Sequence, residues 1–585
     1  MRWKWVRAAA VALLVPLAVI ACEAFDELDD LDVINENAPD TERALGTPGD
    51  IEALISSGFG TWLEATQGPT GLGLSTAGDE LSMSWGNMAI KDLSSEPRVA
   101  WNNSSSYNYR YVSDSRGWRR PYRALSAMYD GLRAFDADPT LAEQIDFDRA
   151  KAYAKFVQGL AHGWIALQFD SGFIFDETVE LETEVLYLKP YPDVMAAALG
   201  YLNDAITLAQ QGSWSLPVSW INGNAFTASD IARLAHSYAA RFMAQVARTP
   251  AERADPTIWQ TIISHVDNGI TADIEIVGQN SDPWDDWIKW GGAQVGRTWG
   301  RADYKTIGYL EAGAGLGYDN WLATPVAQRL PFDLDIPDRR VTPGPPPHTE
   351  FVSEGLDFGH WGQPNHPEAR GTYHWSFYGH HRYRNFPESG DIDPFVIMTT
   401  EEMDLLKAEG LARLGQAGAA ALVNNTRVNR GQLPQATDGD ADLLEKIFYE
   451  MQIENFNVCG GCPMFNRRGW GGLQPTGPSH HFGLVTGTLV HFPLPGSELE
   501  ILQKKAYTYG GENKEGSALV ACGGLPTEPC PGGSAAPAFG AAAAAGSGVP
   551  ARLVYRFNGL RTTAEKLEFI RGETHYGLGE LRRYR

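Results

Sequence analysis

Residues 148–169 read DRAKAYAKFVQGLAHGWIALQF, and their apolar positions Tyr153, Phe156, Val157, Leu160, Trp164, Ile165 and Leu167 recur mostly three or four residues apart. That spacing predicts an amphipathic α-helix, because about 3.6 residues complete one turn. Asp170-Ser171-Gly172 follows as a stop signal. Working outward, Trp118, Tyr122, Leu125, Met128 and Leu132 share one face of a helix expected over about 118–135. Further upstream, Thr47-Pro48-Gly49-Asp50 supplies an N-cap, a first-turn proline and an acidic residue ahead of Ile51, Leu54, Ile55, Phe59, Trp62 and Leu63. This predicts a helix that ends near Ala65. Three more helices are expected at about 191–210, 227–247 and 257–270, and three near the other end at about 400–414, 417–430 and 441–456.

Helices arriving in pairs with short connections predict a mainly α fold of TPR-like stacked helical hairpins, although no consensus recurs at a fixed period. Between about 276 and 394 the helical period disappears, and Gly, Pro, His and aromatic residues dominate. So long an irregular segment inside a compact fold is more often functional than spare. The scaffold is therefore assigned to about 47–275 and 395–510, with an irregular ligand-binding region at about 276–394 between its parts. A low-complexity excursion follows at about 532–548, and Leu553, Val554, Tyr555 and Phe557 are placed to return as a strand.

The 585 residues carry 48 Lys and Arg against 72 Asp and Glu, a net charge of −24. Phosphate recognition needs a basic face, so a nucleic-acid partner is excluded. Charge is also unevenly placed. Arg2, Lys4 and Arg7 precede an apolar run over 8–21, and Val19-Ile20-Ala21-Cys22 resembles a bacterial lipobox. Residues 1–21 are therefore expected to be a lipoprotein signal peptide, with Cys22 the lipidated residue. From Glu23 to Glu42 the chain holds many acids and no base, so 22–46 is expected to be an acidic, self-repelling tether. No later segment has 18 consecutive apolar residues, so the membrane is reached through the lipid anchor alone.

Several segments in order then resemble the SusD/RagB family of outer-membrane lipoproteins. They begin with Cys22 and Leu31-Asp32-Val33-Ile34-Asn35, then Trp118, Tyr122 and Leu125. The match is densest in Glu402-Met403-Asp404-Leu405-Leu406-Lys407-Ala408-Glu409-Gly410, Gly415, Asn424-Asn425-Thr426-Arg427 and Gly431-Gln432-Leu433-Pro434. It continues through Tyr449-Glu450, Glu454, Phe465-Asn466-Arg467-Arg468-Gly469 and Phe492-Pro493-Leu494-Pro495-Gly496-Ser497-Glu498-Leu499. The resemblance implies a surface-exposed, lipid-anchored protein of the cell outer membrane. Such a protein captures a nutrient, most often a glycan and in some members a peptide. It delivers that nutrient to a SusC-like TonB-dependent transporter, opening and closing as a lid, without cofactor or catalysis. The matched residues themselves are expected to build scaffold. Ala408-Glu409-Gly410 would let helices approach, Asn425 and Arg427 would brace a helix end, and Arg467 and Arg468 would pair with Glu450 and Glu454.

The candidate ligand-binding residues are Trp284, Trp287, Trp290, Trp299 and Trp321, with Trp361, Tyr373, Trp375, Tyr378 and Tyr383 farther along. Flat aromatic faces stack on sugar rings, and Asp285, Asp286, Asp319, Asn320 and Arg382 are placed to hydrogen-bond hydroxyls. The i, i+3 spacing of Trp284, Trp287 and Trp290 has a competing reading as one core-facing stripe. Cys459, Cys462, Cys522 and Cys530 favour two disulfides over zinc in an exported chain, with three pairings open and a redox role for Cys459-Gly-Gly-Cys462 unsupported by its surroundings. His374, His380 and His381, or His480 with His481, lack metal-site spacing, and Asp438-Gly439-Asp440-Ala441-Asp442 fails the calcium-loop pattern at Leu443 and Tyr449. No metal site is expected. Two alternatives remain in other classes: an exported glycoside hydrolase, whose carboxylate spacing a sequence does not reveal, and a structural surface lipoprotein that binds nothing.

Overall fold

The structure, a computed structural model, describes residues 45–83, 88–181, 183–292, 300–311, 317–343, 357–360, 376–474 and 481–511. The signal segment, Cys22, the tether, the excursion, the expected strand after it, Cys522 and Cys530 lie outside the described residues. Pro48–Val554 form one compact unit, and all the elements named below belong to it.

Eleven helices of nine or more residues are described. They are α1 Pro48–Gln67, α2 Pro69–Ala77, α3 Arg119–Ala137, α4 Phe147–Gln168, α5 Tyr191–Gln211 and α6 Ala228–Gln245. The rest are α7 Pro256–Asp267, α8 Thr400–Arg413, α9 Ala419–Arg427, α10 Leu443–Glu454 and α11 Cys462–Trp470. Their starts follow local chemistry. Asp146, Asp255 and Thr399 cap α4, α7 and α8 through side-chain oxygens, and Thr227 with Asp230 forms a capping box on α6.

The packing order is α1 on α3, α3 on α4, α4 on α5, α5 on α6, α6 on α7, α7 on α8, and α8 on both α9 and α10. This is a mainly α fold of stacked helical hairpins. The α4 stretch that shows one apolar face in sequence is buried nearly all round, since neighbours cover it on several sides. Its glycines admit them: a Cβ on Gly163 would collide with the Phe242 ring, and one on Gly159 would lie 2.6 Å from Leu202. Two helices escape the sequence reading. Helix α2 (PTGLGLSTA) is buried on every side and shows no amphipathic period, and α11 carries two arginines where an apolar face is sought.

Helices α7 and α8 pack together although the irregular region separates them. The reason is an antiparallel ribbon at its two ends, with Ile274–Val277 paired to Pro394–Met398, so the chain leaves and re-enters the stack at one place. Two buried arginine pairs lock the same junction. Arg241 of α6 binds Glu402 of α8 at 2.7 and 2.5 Å, and Arg253 binds Glu409 of α8 at 3.0 and 2.7 Å. The Ala408-Glu409-Gly410 motif is therefore a junction. Gly410 faces Ile263 and Trp259 at a Cβ distance of 3.0–3.1 Å while Glu409 receives Arg253 and Arg413.

The irregular region is pinned to α10 by Arg340. Its guanidinium contacts Asp338 at 2.7 Å, Glu450 at 2.6 Å and Glu454 at 2.8 Å, all fully buried. Arg382 and Arg430 also bind Glu454, Arg430 binds Asp357, and Arg427 lies 3.7 Å from Glu450. Four arginines thus face four carboxylates. Burial pushes Glu454 up, but Arg340, Arg382 and Arg430 together hold it below its ordinary value. The expected pairing of Arg467 and Arg468 with Glu450 and Glu454 is corrected here. Arg467 instead binds Lys305 O, Thr306 and Gln452, and Arg468 binds the carbonyls of Val490 and Gln245. Arg427 does brace a helix end, donating to Pro434 O at 2.8 Å.

Because the Arg340 cluster is dry and charge-balanced, Arg340→Met strands its carboxylates. That variant is expected to lower the unfolding free energy by roughly 3–5 kcal/mol, read as a drop in the urea midpoint.

Candidate ligand-binding site

The irregular region opens with a short helix, Trp287–Gly292. Its inner face is Ile288, Lys289, Gly291 and Gly292, all buried, with Gly291 against Leu72 and Met83 and Gly292 against Asn457. Trp287 and Trp290 are half-buried on the other face, with ring centroids 5.6 Å apart. Of the three tryptophans only Trp287 and Trp290 fall on this helix, and the indole Nε1 of each is buried. Trp284, just before the helix, stacks on Phe59 at 6.4 Å. Gly60 makes room for it, since a Cβ there would lie 2.8 Å from Pro283 and 3.3 Å from Trp284.

A charged residue, Lys289, shares the buried face with Ile288. Asp286 accepts the N–H groups of Ile288 and Lys289, each at 2.9 Å, and caps the first turn. Its other oxygen meets Lys289 Nζ at 2.8 Å, and the same ammonium donates to Asn457 O at 2.8 Å. Asn457 sits at φ 61° and donates its own N–H to Glu80 at 2.8 Å. The neighbouring loop is tied down as well, with Gln67 donating to Val458 O and accepting from Gly460 N, each at 3.0 Å. Burial pushes Glu80 up to about 7, against the opposing hydrogen bond from Asn457.

Beside the tryptophans, Asp285 is only 8% exposed. Burial first, then the nearby Asp391 and Asp282, raise it to about 7. Asp282 is itself bound to Arg116 at 3.1 Å, and Arg116 also meets Glu64.

The other sequence candidates lie elsewhere. Trp321 is 3% exposed and belongs to the core, packed with Tyr304, Tyr318 and Phe332 and lying under the Arg329 guanidinium at 4.6 Å. The sequence reading of Trp321 as a ligand contact is corrected. Arg382 is held by Glu454 at 2.7 Å, so its place is in the charge cluster. Asp286 is likewise committed to Lys289, while Asp319 and Asn320 are exposed. Tyr378 is buried and bonded to Leu334 N, and Tyr383 is half-buried with Lys289 Nζ 5.4 Å from its ring. Trp299, Trp361, Tyr373, Trp375, His374 and His480 lie outside the described residues.

His380 is buried against Phe358 and Phe456, which together with burial and nearby cations keeps it well below the ordinary histidine range. Among the described residues no group of three His, Cys, Asp or Glu is placed to hold a metal. Asp438 caps α9 through Gly418 N and Ala420 N, each at 2.8 Å, and Asp440 binds Lys446 at 2.6 Å. Cys459 and Cys462 form a disulfide. Two hollows differ in character from the tryptophan face. One, about 20 Å³ and lined by Trp62, Trp164, Tyr238 and Cys459, suits a water at most. The other, about 360 Å³ beside Gln416, Asp438 and Asp440, has no aromatic lining.

Sequence reasoning missed Lys289, Asn457 and Glu80. The readable signal was Asp286 and Lys289 at i, i+3 inside an otherwise aromatic run.

No protein-family model matches the chain, and no curated protein matches it. Solved structures do. A SusD superfamily protein from Parabacteroides distasonis aligns with a TM-score of 0.51 at 12% identity, covering 77% of this chain and 97% of that one. Another from Bacteroides vulgatus gives 0.49 at 14% identity over 77% and 97%. One from Bacteroides fragilis gives 0.47 at 14% over 78% and 97%. The first of these likenesses shows that the chain has the SusD-superfamily fold.

Glu80 makes that fold pH-dependent. Its folded pKa of about 7 exceeds the ordinary carboxyl value, so the stability linked to its proton is full below about pH 4.5 and is lost as pH rises through about 7. Glu80→Gln stays neutral at every pH, so it is expected to remove Glu80's share, on the order of 3 kcal/mol, of the fall in unfolding free energy between about pH 5 and 8, leaving that of Asp285 and Glu64.

Proposed function

We propose that this chain, built on the SusD fold, is a cell-surface nutrient-binding lipoprotein of the SusD/RagB family. It captures a soluble ligand, most simply an oligosaccharide, and hands it to a SusC-like TonB-dependent outer-membrane transporter. The observation that carries this reading is the half-buried pair Trp287 and Trp290, on a helix whose other face is fixed by the buried Asp286–Lys289 pair. A sugar ring offers an apolar face to such a platform, and rigid aromatic anchors lose little conformational entropy on binding. Trp284 extends the aromatic surface toward α1.

The lipobox-like Cys22 and the acidic tether supply the anchor in this reading, and the helical stack supplies the surface that meets the transporter. Among the described residues no helix is long and apolar enough to cross a membrane. A peptide ligand would use the same aromatic faces.

One observation favours a second reading. Asp285, raised to about 7 beside the tryptophans, has the protonation behaviour of a general acid, as an exported glycoside hydrolase requires. The two readings separate in one set of experiments. The purified chain is screened against glycans and peptides, and it is co-purified from membranes to look for a β-barrel partner. Binding without turnover is expected. The double variant Trp287→Ala/Trp290→Ala should weaken binding about 30-fold or more while circular dichroism stays native. Disappearance of a glycan, abolished by Asp285→Asn, would establish the hydrolase instead.

A further inference from the structure

The loop that holds Lys289 ends in the Cys459–Cys462 disulfide, which no step of the proposed binding function uses. We propose that this disulfide is an exchange site for an exported dithiol, and that its oxidation state sets the seating of the Trp287–Gly292 helix.

Three observations support the exchange chemistry. The two sulfurs are unequal: Cys459 is half-buried and Cys462 is 6% exposed, so an incoming thiolate reaches Cys459 first. Cys462 is also the first residue of α11, whose dipole favours a departing thiolate, while its own N–H is bonded to Cys459 O and the next residue, Pro463, has none. Finally, Gln245 Oε1 lies 3.5 Å from Cys462 Sγ. A disulfide sulfur has no proton to give this acceptor, whereas a thiol does.

The step balances. A thiolate of the dithiol attacks Cys459 Sγ, the S–S bond breaks, and Cys462 leaves as a thiolate. The second thiol then attacks the mixed disulfide, frees Cys459 and closes the reductant's own disulfide. Two electrons and two protons pass to the cysteine pair.

Coupling to the tryptophans runs through a short path. Reduction opens the covalent ring at the end of a loop whose Asn457 carbonyl holds Lys289 Nζ at 2.8 Å. The same loop is tied to Glu80 and Gln67 through Asn457 N, Val458 O and Gly460 N. Lys289 stands on the back of the helix that presents Trp287 and Trp290.

The test uses the folded full-length chain and dithiothreitol as the dithiol, followed by iodoacetamide trapping and peptide mass spectrometry. The Cys459 and Cys462 peptides are thereby separated from the remaining cysteines. The pair is expected to open while circular dichroism stays native. Tryptophan emission should shift in step, and Trp287→Phe/Trp290→Phe should abolish the shift. A pair that stays oxidised until the chain unfolds overturns the proposal. So does reduction that leaves the emission unchanged. None of these outcomes depends on which ligand the protein binds.

Discussion

A guanidinium taken out of water must meet its full countercharge, and Arg340 does so with Asp338, Glu450 and Glu454 in one dry cluster. The same rule recurs elsewhere in the fold, both where the irregular region meets the helices and between helices. Lys305, Arg98 and Arg329 answer Asp79, Glu96 and Asp303, and the three cations, overcoming burial, pull Glu96 down to about 2. Arg241 and Arg253 answer Glu402 and Glu409. Each cluster joins segments far apart in sequence. Apolar contacts tolerate a small slide, but a multidentate charge cluster does not, so these contacts set the register of irregular backbone that has no ladder of its own.

Much of the helical stack is legible from periodicity. The stripe at Tyr153, Phe156, Val157, Leu160 and Trp164 identifies α4, and Thr47-Pro48-Gly49-Asp50 marks where α1 begins. The helices that periodicity misses have physical reasons for escaping it. Helix α2 is wrapped on all sides, so no polar face exists to generate a period, and Gly71 and Gly73 argue against a helix on propensity alone. Helix α11 hides because Arg467 and Arg468 are buried to satisfy carbonyls and amide groups, a use of arginine that charge patterns do not announce. The ribbon of Ile274–Val277 and Pro394–Met398 is too short, and its strands too distant in sequence, for local signals to pair them.

The candidate site was legible in composition but not in orientation. Trp284, Trp287 and Trp290 stand at helical spacing, which fits a core stripe as well as a surface platform. Lys289 narrows the choice, because it points inward to Asp286 and Asn457 and puts Trp287 and Trp290 on the half-buried opposite face. Trp321 shows the opposite error. In sequence it resembles the other tryptophans of the region, yet Arg329 and a ring of aromatics enclose it. A tryptophan's role here depends on which charged residue stands beside it.

The two-stranded ribbon also bears on how such a chain can diversify. Since the region leaves and returns at adjacent points, α7 and α8 meet regardless of how much polypeptide lies between them. The entropy of closing such a loop grows only with the logarithm of its length, so each doubling adds about 0.6 kcal/mol. Length can therefore be added beyond Val277 and before Pro394 at little expense to the helices, provided the anchors Lys289, Lys305 and Arg340 are kept. The ribbon works as a socket, and the stack can keep one architecture while the inserted segment drifts toward new ligands.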